Sequence, residues 1–444
     1  MHTGTHALVL GLGESGAHAA KLLLREGLRV TIFEQQVHPM TAEAWVGLGG
    51  QTVAAAPDAA IPADVDLCVV SPGIPVEHPW LASARARGLH PVPEFELGWS
   101  RFRGRVAAIT GTNGKSTMVK WMAESLLASG FRAAPAGNYG PSVSRVVCEQ
   151  PDLDWLVIEA SSFQLETARH FRADLSVLLN IAPNHLDRHP SMEAYVDAKA
   201  RLFAQVRGRD VCMAPAAWRT RMQAASGGRG AWYSFGCAAT DDYRWGNSCV
   251  LHRADTVLDA RGTFLDNAIL GPHAAAVAGA LHAAGLPLDG AGAAARAFKS
   301  LPHRMEPVAE AGGIRFVNDS KATTLTAMRA ALEMAGGPVR LIAGGLLKET
   351  DLNCVKEMLA LHARGVYLVG KAAEKMASQW ADTVPCEVCG ELEKAVGAAW
   401  RAARPGEVIL LSPGCASFDQ FANFERRGDE FRRIAKALAG ERKS

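Results

Sequence analysis

Short apolar runs rich in Val, Ile and Leu alternate along the chain with longer stretches in which apolar residues recur at helical spacing. A strand buried on both faces reads as a continuous apolar run, and its covering helices carry an apolar stripe. The alternation therefore predicts parallel sheets covered by helices, an α/β fold. The pattern restarts twice. A first block opens with His6-Ala-Leu-Val-Leu-Gly-Leu-Gly13, continues through a helical stretch to Arg29–Phe33, reaches Val65–Gly73 and closes near Pro91-Val-Pro93. A second begins with a strand over Arg105–Thr110, runs through Trp155–Glu159 and Leu175–Asn180, and ends in an Ala-rich helical stretch near Lys299. A third starts at Leu301-Pro-His-Arg304, with strands expected at Ile314–Val317, Val339–Ala343, Gly365–Val369 and Val408–Leu411. The restarts divide the chain into domains at 1–93, 94–300 and 301–444. A length of 444 residues exceeds what one core sustains, which agrees with that division.

Composition narrows the class. With 48% hydrophobic and 21% charged residues the chain has globular character, and Lys+Arg 47 against Asp+Glu 45 leaves no basic excess for coating a nucleic acid. No apolar stretch approaches the roughly 18 to 20 residues that span a bilayer, and no basic region followed by an apolar one opens the chain. A cytoplasmic protein with neither membrane nor nucleic-acid partner is expected. The nine cysteines have no framework spacing, so reduced thiols are expected. Cys386 and Cys389 form a lone CxxC. No second Cys/His pair stands at metal-ligand spacing, so the pair reads as incidental.

The sharpest chemical signal is Gly111-Thr-Asn-Gly-Lys-Ser-Thr117, between an apolar strand and the amphipathic run Met118–Ala128. Glycines let the backbone curl so that N–H groups of Gly111, Thr112, Asn113 and Gly114 can face phosphate oxygens, and the following helix offers its positive end. Lys115 can reach the β- and γ-phosphates, and the hydroxyl of Ser116 or Thr117 can hold Mg²⁺. Gly11-Leu-Gly-Glu-Ser-Gly16 also follows a strand, with Glu34 about 20 residues on, as in dinucleotide binding. A second nucleotide loop a hundred residues later speaks against hydride transfer. A nucleotide-linked substrate held by its diphosphate fits better.

These loops belong to a longer series: Gly137-Asn-Tyr-Gly140, Glu159-Ala-Ser-Ser-Phe-Gln-Leu-Glu166, Asn180-Ile-Ala-Pro-Asn-His-Leu-Asp-Arg-His189, Lys199, Leu301-Pro-His-Arg304, Asn318-Asp-Ser-Lys-Ala-Thr323 and Leu411–Phe424. In that order they resemble the Mur ligases over essentially the whole length, and within that family the members that add D-glutamate. The resemblance implies a Rossmann-like N-terminal domain for a UDP-linked substrate, a central ATPase-like domain and a Rossmann-like C-terminal domain for the acceptor amino acid. It implies a monomeric ligase that uses ATP to join D-glutamate to UDP-N-acetylmuramoyl-L-alanine through an acyl phosphate, for peptidoglycan synthesis. By the same resemblance, Lys115, Glu159, His185, Lys199 and Lys321 are catalytic, and Arg304, Asp319 and Lys321 lie near ATP. Ser116, Glu159, His185 and a carbamylated Lys199 hold two Mg²⁺ ions. Ser15, Glu34, Gln35, Ser71 and Asn138 take the UDP-sugar, and Thr323, Lys348, Ser417 and Phe424 take the acceptor.

Some positions depart from the family pattern. Ala274 and Val277 stand where the family has asparagines on the adenine side, Leu346 where an acid is common, and Asn184 where an acid precedes the metal histidine. Each removes a polar contact worth about 0.5 to 1.5 kcal/mol, enough to alter affinity without abolishing the chemistry. Two other readings stay open: a related ligase with another acceptor, such as L-glutamate, and a paralogue that binds nucleotide-sugar without catalysis.

Overall fold

The computed structural model describes residues 5–36, 50–185, 188–349 and 351–441, so Leu186 and Asp187 of the Asn180–His189 motif lie outside the described residues. The chain forms two compact units. One runs to Asp266 and from Leu270 to Ala297, and the other holds Asn267–Ile269 and the chain from Phe298 onwards.

The first unit carries two sheets. A five-stranded sheet, parallel throughout, has the order Gln51–Ala54, Arg29–Glu34, His6–Leu10, Leu67–Val70, Val92–Pro93. Alternate residues of its strands enter opposite cores: Ala7, Val9, Val30 and Ile32 on one face, Leu8, Leu10, Phe33 and Val70 on the other. Burial on both faces explains the continuous apolar runs of the sequence, and each buried Val, Ile, Leu or Phe side chain contributes about 1.5 to 3 kcal/mol relative to exposure. In the nine-stranded sheet, Arg105–Thr110 lies between Leu175–Leu178 and Trp155–Glu159, with Ala133–Gly137 at the edge beyond the latter. The other arm runs through Val211–Pro215, Ala231–Gly236 and Tyr243–Gly246, then turns antiparallel through Cys249–His252 and Asp255–Asp259. The second unit holds a six-stranded sheet, Glu306–Ala311, Ile314–Asn318, Val408–Leu411, Val339–Gly344, Ala363–Val369, Cys386–Gly390, parallel except for its first strand. The sequence pattern predicted parallel sheets, and both antiparallel additions sit at sheet edges.

Helix ends follow local chemistry. Lys115–Ala128 stops in a Schellman turn, where Gly130 at φ +87° lets its N–H reach Leu127 O at 3.0 Å and that of Phe131 reach Leu126 O at 3.0 Å. The short helix Glu94–Trp99 links the two sheets of the first unit through its acids. Glu94 accepts the Ser144 N–H at 2.6 Å, and Glu96 accepts those of Arg169 and His170 at 2.8 and 3.0 Å. Burial pushes the Glu94 carboxyl up to about 7, against the pull of Ser144. An acid whose folded pKa lies above its unfolded value holds its proton more tightly in the native state. Stability is then greatest at low pH and falls as pH rises from the ordinary glutamate value to about 7. Glu94→Gln is expected to flatten that fall in Tm, measured by thermal melts over a pH series. Equal slopes in both proteins would mean that Glu94 remains ionised in the fold.

Candidate active site

The strand Arg105–Thr110 delivers Gly111–Thr117 to the carboxyl edge of the nine-stranded sheet, where open α/β sheets bind ligands. Gly114, at φ +82°, precedes the helix Lys115–Ala128, and no side chain caps its first turn. A Cβ at Gly114 would lie 2.6 Å from His273 Nδ1, so only glycine fits there. Asn180, at the end of the neighbouring strand, shapes the loop. Its Oδ1 accepts the N–H groups of Thr112 and Asn113 at 3.0 and 2.9 Å, and its amide meets His273 Nε2 at 2.8 Å. Burial lowers the His273 pKa to about 4, so its imidazole is neutral. Ser116 is buried at the helix start and Thr117 half-buried. Lys115 folds back on the loop, donating from Nζ to Gly111 O and Thr112 O at 2.8 Å each.

Lys199 comes to the same carbonyl. Its helix, Met192–Ala200, starts at Ser191, whose hydroxyl accepts the Ala194 N–H at 3.1 Å. Tyr195 and Lys199, one turn apart, share the face turned to the loop. The Tyr195 hydroxyl meets Thr112 Oγ1 at 3.1 Å, and Lys199 Nζ, 4.5 Å from the Tyr195 ring centre, donates to Gly111 O at 2.8 Å. Lys199 is 1% exposed. Burial first, then the charge of Lys115, lowers its pKa to about 6 against the opposing pull of Glu159. At neutral pH it is largely an uncharged amine with a free lone pair, the form that can react with CO₂.

Glu159 ends the adjacent strand Trp155–Glu159 and is 1% exposed. Its Oε1 accepts the Asn138 amide at 2.7 Å, while Oε2 is buried with no hydrogen-bond partner. A buried carboxylate oxygen without a partner costs several kcal/mol, roughly 2 to 7 for a polar group, unless a cation meets it. This residue therefore suits a metal ion. Gly137, at φ +98°, brings Asn138 against it, since a Cβ there would lie 2.5 Å from Glu159 O. His185 sits on an exposed turn at φ +56°, edge-on to Phe163 at 4.9 Å, and its N–H is held by Asn184 Oδ1 at 2.9 Å. Among the described residues no three His, Cys, Asp or Glu side chains are gathered to hold a metal ion. Of the four expected metal ligands, the structure thus links Glu159 and Lys199 electrostatically and sets His185 on its own turn.

At the carboxyl edge of the five-stranded sheet, Ser71 Oγ donates to Gly11 O at 3.1 Å, and Gly16 packs so closely under Gly11 that a Cβ would lie 1.9 Å from its oxygen. Glu34 accepts the Leu12 N–H at 2.7 Å on one oxygen, which braces the loop, and the N–H of the adjacent Gln35 at 2.8 Å on the other. Gln35 is exposed, with its amide 3.1 Å from His78 Nε2, and Ser15 lies half-buried in the first turn of Glu14–Arg25.

In the second unit, Asp319 is buried, accepting from Met305 N–H at 3.1 Å and Ser412 Oγ at 3.0 Å, and burial pushes its carboxyl up to about 7. Arg304 is half-buried in the turn that starts at Leu301, and His303 and Met305 on either side of it have φ +60° and +43°. Thr323 stands just before the helix Leu325–Met334, Ser417 is buried, Lys348 is exposed, and the Lys321 ammonium lies 5.1 Å from the Phe424 ring centre. Leu346, 40% exposed, pairs with Ala416 through bonds of 2.8 and 3.0 Å. Ala274 and Val277 are fully buried. Cys386 and Cys389 pack into the two cores on opposite faces of the six-stranded sheet, so they do not share a ligand. Sequence reasoning passed over Asn180 and His273. The available signal for Asn180 was its place at the end of a strand beside the loop strand.

Family models match in three segments: a MurD-like N-terminal domain of Mur ligases at residues 5–92, the Mur ligase middle domain at 109–276, and the Mur ligase glutamate ligase domain at 303–415. Among curated relatives, the UDP-N-acetylmuramoylalanine–D-glutamate ligases of Nitratidesulfovibrio vulgaris and Acidobacterium capsulatum are 38% and 37% identical to the chain. Each match covers 98% of the chain and 97% of the relative. Two solved structures from Thermotoga maritima share the fold. The UDP-N-acetylmuramate-alanine ligase MurC has TM-score 0.60 at 16% identity, covering 98% of this chain and 99% of its own. The MurF ligase in complex with ADP has TM-score 0.61 at 17% identity, covering 98% and 95%. With its loops placed as described and more than a third of its residues shared with full-length relatives, the chain belongs to the Mur ligase family.

Proposed function

We propose that this protein joins the amino group of D-glutamate to the carboxylate of UDP-N-acetylmuramoyl-L-alanine, using ATP, in peptidoglycan precursor synthesis. The observation that carries the reading is the cluster at Gly111: the phosphate-loop lysine, a buried neutral lysine and a buried glutamate with one oxygen unpartnered. The names of the curated relatives support the substrates, and the ADP complex of the MurF relative supports the nucleotide. In this reading residues 1–93 take the UDP-sugar, 94–300 take ATP and 301–444 take the acceptor.

Phosphoryl transfer breaks the bond between the γ-phosphorus and its bridging oxygen, releasing ADP, and forms a bond from a substrate carboxylate oxygen to that phosphorus. The amine of D-glutamate then attacks the acyl carbon, phosphate leaves and the ammonium proton is lost. Lys115 neutralises the β- and γ-phosphates. The neutral Lys199 amine adds CO₂ and loses a proton, which converts a group that repels cations into a carboxylate-like one. Two Mg²⁺ ions, held by Ser116 and Glu159 and by His185 with carbamylated Lys199, would offset the phosphate charge. Arg304, Asp319 and Lys321 complete the ATP side. Ser15, Glu34, Gln35, Ser71 and Asn138 hold the UDP-sugar, and Thr323, Lys348, Ser417 and Phe424 hold D-glutamate. The protein is read as a monomer in the cytoplasm by its resemblance to the family, and no helix among the described residues is long and apolar enough to cross a membrane.

Phosphate release measured with ATP, the nucleotide-sugar and D-glutamate, L-glutamate or a diamino acid in parallel is expected to depend on both the nucleotide-sugar and D-glutamate. Preference for L-glutamate would reassign the acceptor, and nucleotide-sugar binding without turnover would make the chain a binding paralogue.

A further inference from the structure

The four residues assigned to the acceptor lie on four chain segments, and one buried side chain hydrogen-bonds two of these, lies against a third and projects from the helix that begins with the fourth. Arg427, in the helix Phe424–Glu441, is 2% exposed. Its Nε donates to Ser320 Oγ at 3.0 Å, Nη2 to Ser320 O at 2.8 Å and Nη1 to Cys415 O at 3.1 Å. Ser320 stands three residues before Thr323 and passes its own hydroxyl hydrogen bond to Phe424 O at 2.8 Å. Cys415 stands two residues before Ser417. Gly345 stands three before Lys348, and its φ of +128° presses that segment so close that a Cβ would lie 3.3 Å from Arg427 Nη1 and 2.4 Å from Ala416 O. Phe424 lies one helical turn before Arg427 itself.

We propose that Arg427 is the positioning residue of the acceptor subsite, fixing the segments of Thr323, Lys348, Ser417 and Phe424 relative to one another and supplying a buried positive charge that favours an acidic amino acid there. The inference rests on the acceptor assignment made above and goes beyond it, since Arg427 need not touch the amino acid. Its charge is unusual in its setting. Among the described residues no carboxylate lies within ion-pair distance of it, and its three side-chain hydrogen bonds end on neutral oxygens. Burial lowers its pKa to about 10, with Cys415 and then Asp419 acting in the opposite sense, so the guanidinium remains charged at neutral pH. A buried cation met only by dipoles is costly, and an incoming carboxylate reduces that cost. A lysine offers a point charge on a single ammonium and does not reproduce a fork that spans Ser320 and Cys415.

The test compares wild type with R427K and R427Q, measuring KM separately for D-glutamate, ATP and the nucleotide-sugar, with Tm recorded with and without D-glutamate. Both variants are expected to raise the KM for D-glutamate by about ten- to a hundredfold, leave the other two within about threefold, and lose the rise in Tm on adding D-glutamate. An unchanged KM for D-glutamate in a folded variant, or an equal rise in all three constants, would overturn the proposal. Should both variants fail to fold, S320A removes one bond to the guanidinium together with the bond that Ser320 passes on to Phe424 O. It is expected to raise the same constant by about two- to tenfold, and no change would likewise overturn the proposal. A wild-type enzyme that releases no phosphate with D-glutamate would instead refute the acceptor assignment itself, before any variant is compared.

Discussion

Replacing Lys199 with alanine is expected to lower kcat by about a hundred- to a thousandfold, the scale on which removal of one preorganised charge-stabilising group acts. An ammonium at 1% exposure beside Lys115 is costly, and the amine is correspondingly held largely neutral at physiological pH. A neutral amine neither repels a metal ion nor offers it much, whereas a carbamate formed on it would offer two oxygens that share one negative charge. Alanine removes the attachment point, so raised bicarbonate is expected to leave the variant inactive. A short carboxylic acid such as formate, diffusing into the vacated space, is expected to return part of the rate. Steady-state assays with each additive check this directly. Full activity in the alanine variant would remove the carbamate from the mechanism.

The second large effect is expected at Lys115. Lys115→Met should lower kcat/KM for ATP by about a hundred- to a thousandfold, because the triphosphate loses the charge that meets its β- and γ-oxygens. The same substitution acts on Lys199. The charge of Lys115 is one of the causes that depress the Lys199 pKa, so its removal lets that pKa rise and protonates more of the amine at neutral pH. Raising the pH restores the neutral amine, and the ratio of variant to wild-type rate is therefore expected to improve with pH across the neutral to alkaline range. A ratio independent of pH would show that the two lysines do not communicate.

Much of the fold was legible because burial on both faces writes itself into sequence. His6–Leu10, Arg105–Thr110 and Val408–Leu411 are continuous apolar runs and became central strands. What escaped lacks that signature. Ala133–Gly137 contains no β-branched residue, Val92–Pro93 is two residues long, and Glu306–Ala311 is a partly exposed edge strand with charges along it. The phosphate loop was legible because its glycines and Lys-Ser-Thr are local. The state of Lys199 was not, since it depends on Tyr195, Gly111 and Lys115 meeting in space. Arg427 was the most concealed. Arg426-Arg427-Gly-Asp-Glu430 looks like a solvated helix start, yet Arg426 is exposed and Arg427 is not, and only tertiary packing separates them.

The double use of the Gly111 carbonyl bears on how the loop receives its ligand. A carbonyl oxygen has two lone pairs, so it accepts Lys115 and Lys199 together, and the resting loop keeps its cation parked on its own backbone. An arriving triphosphate exchanges one oxygen partner for another instead of capturing a side chain that wanders through solvent. The freedom that a lysine gives up on immobilisation, up to about 2 kcal/mol, is thus surrendered when the chain folds and not again at every turnover.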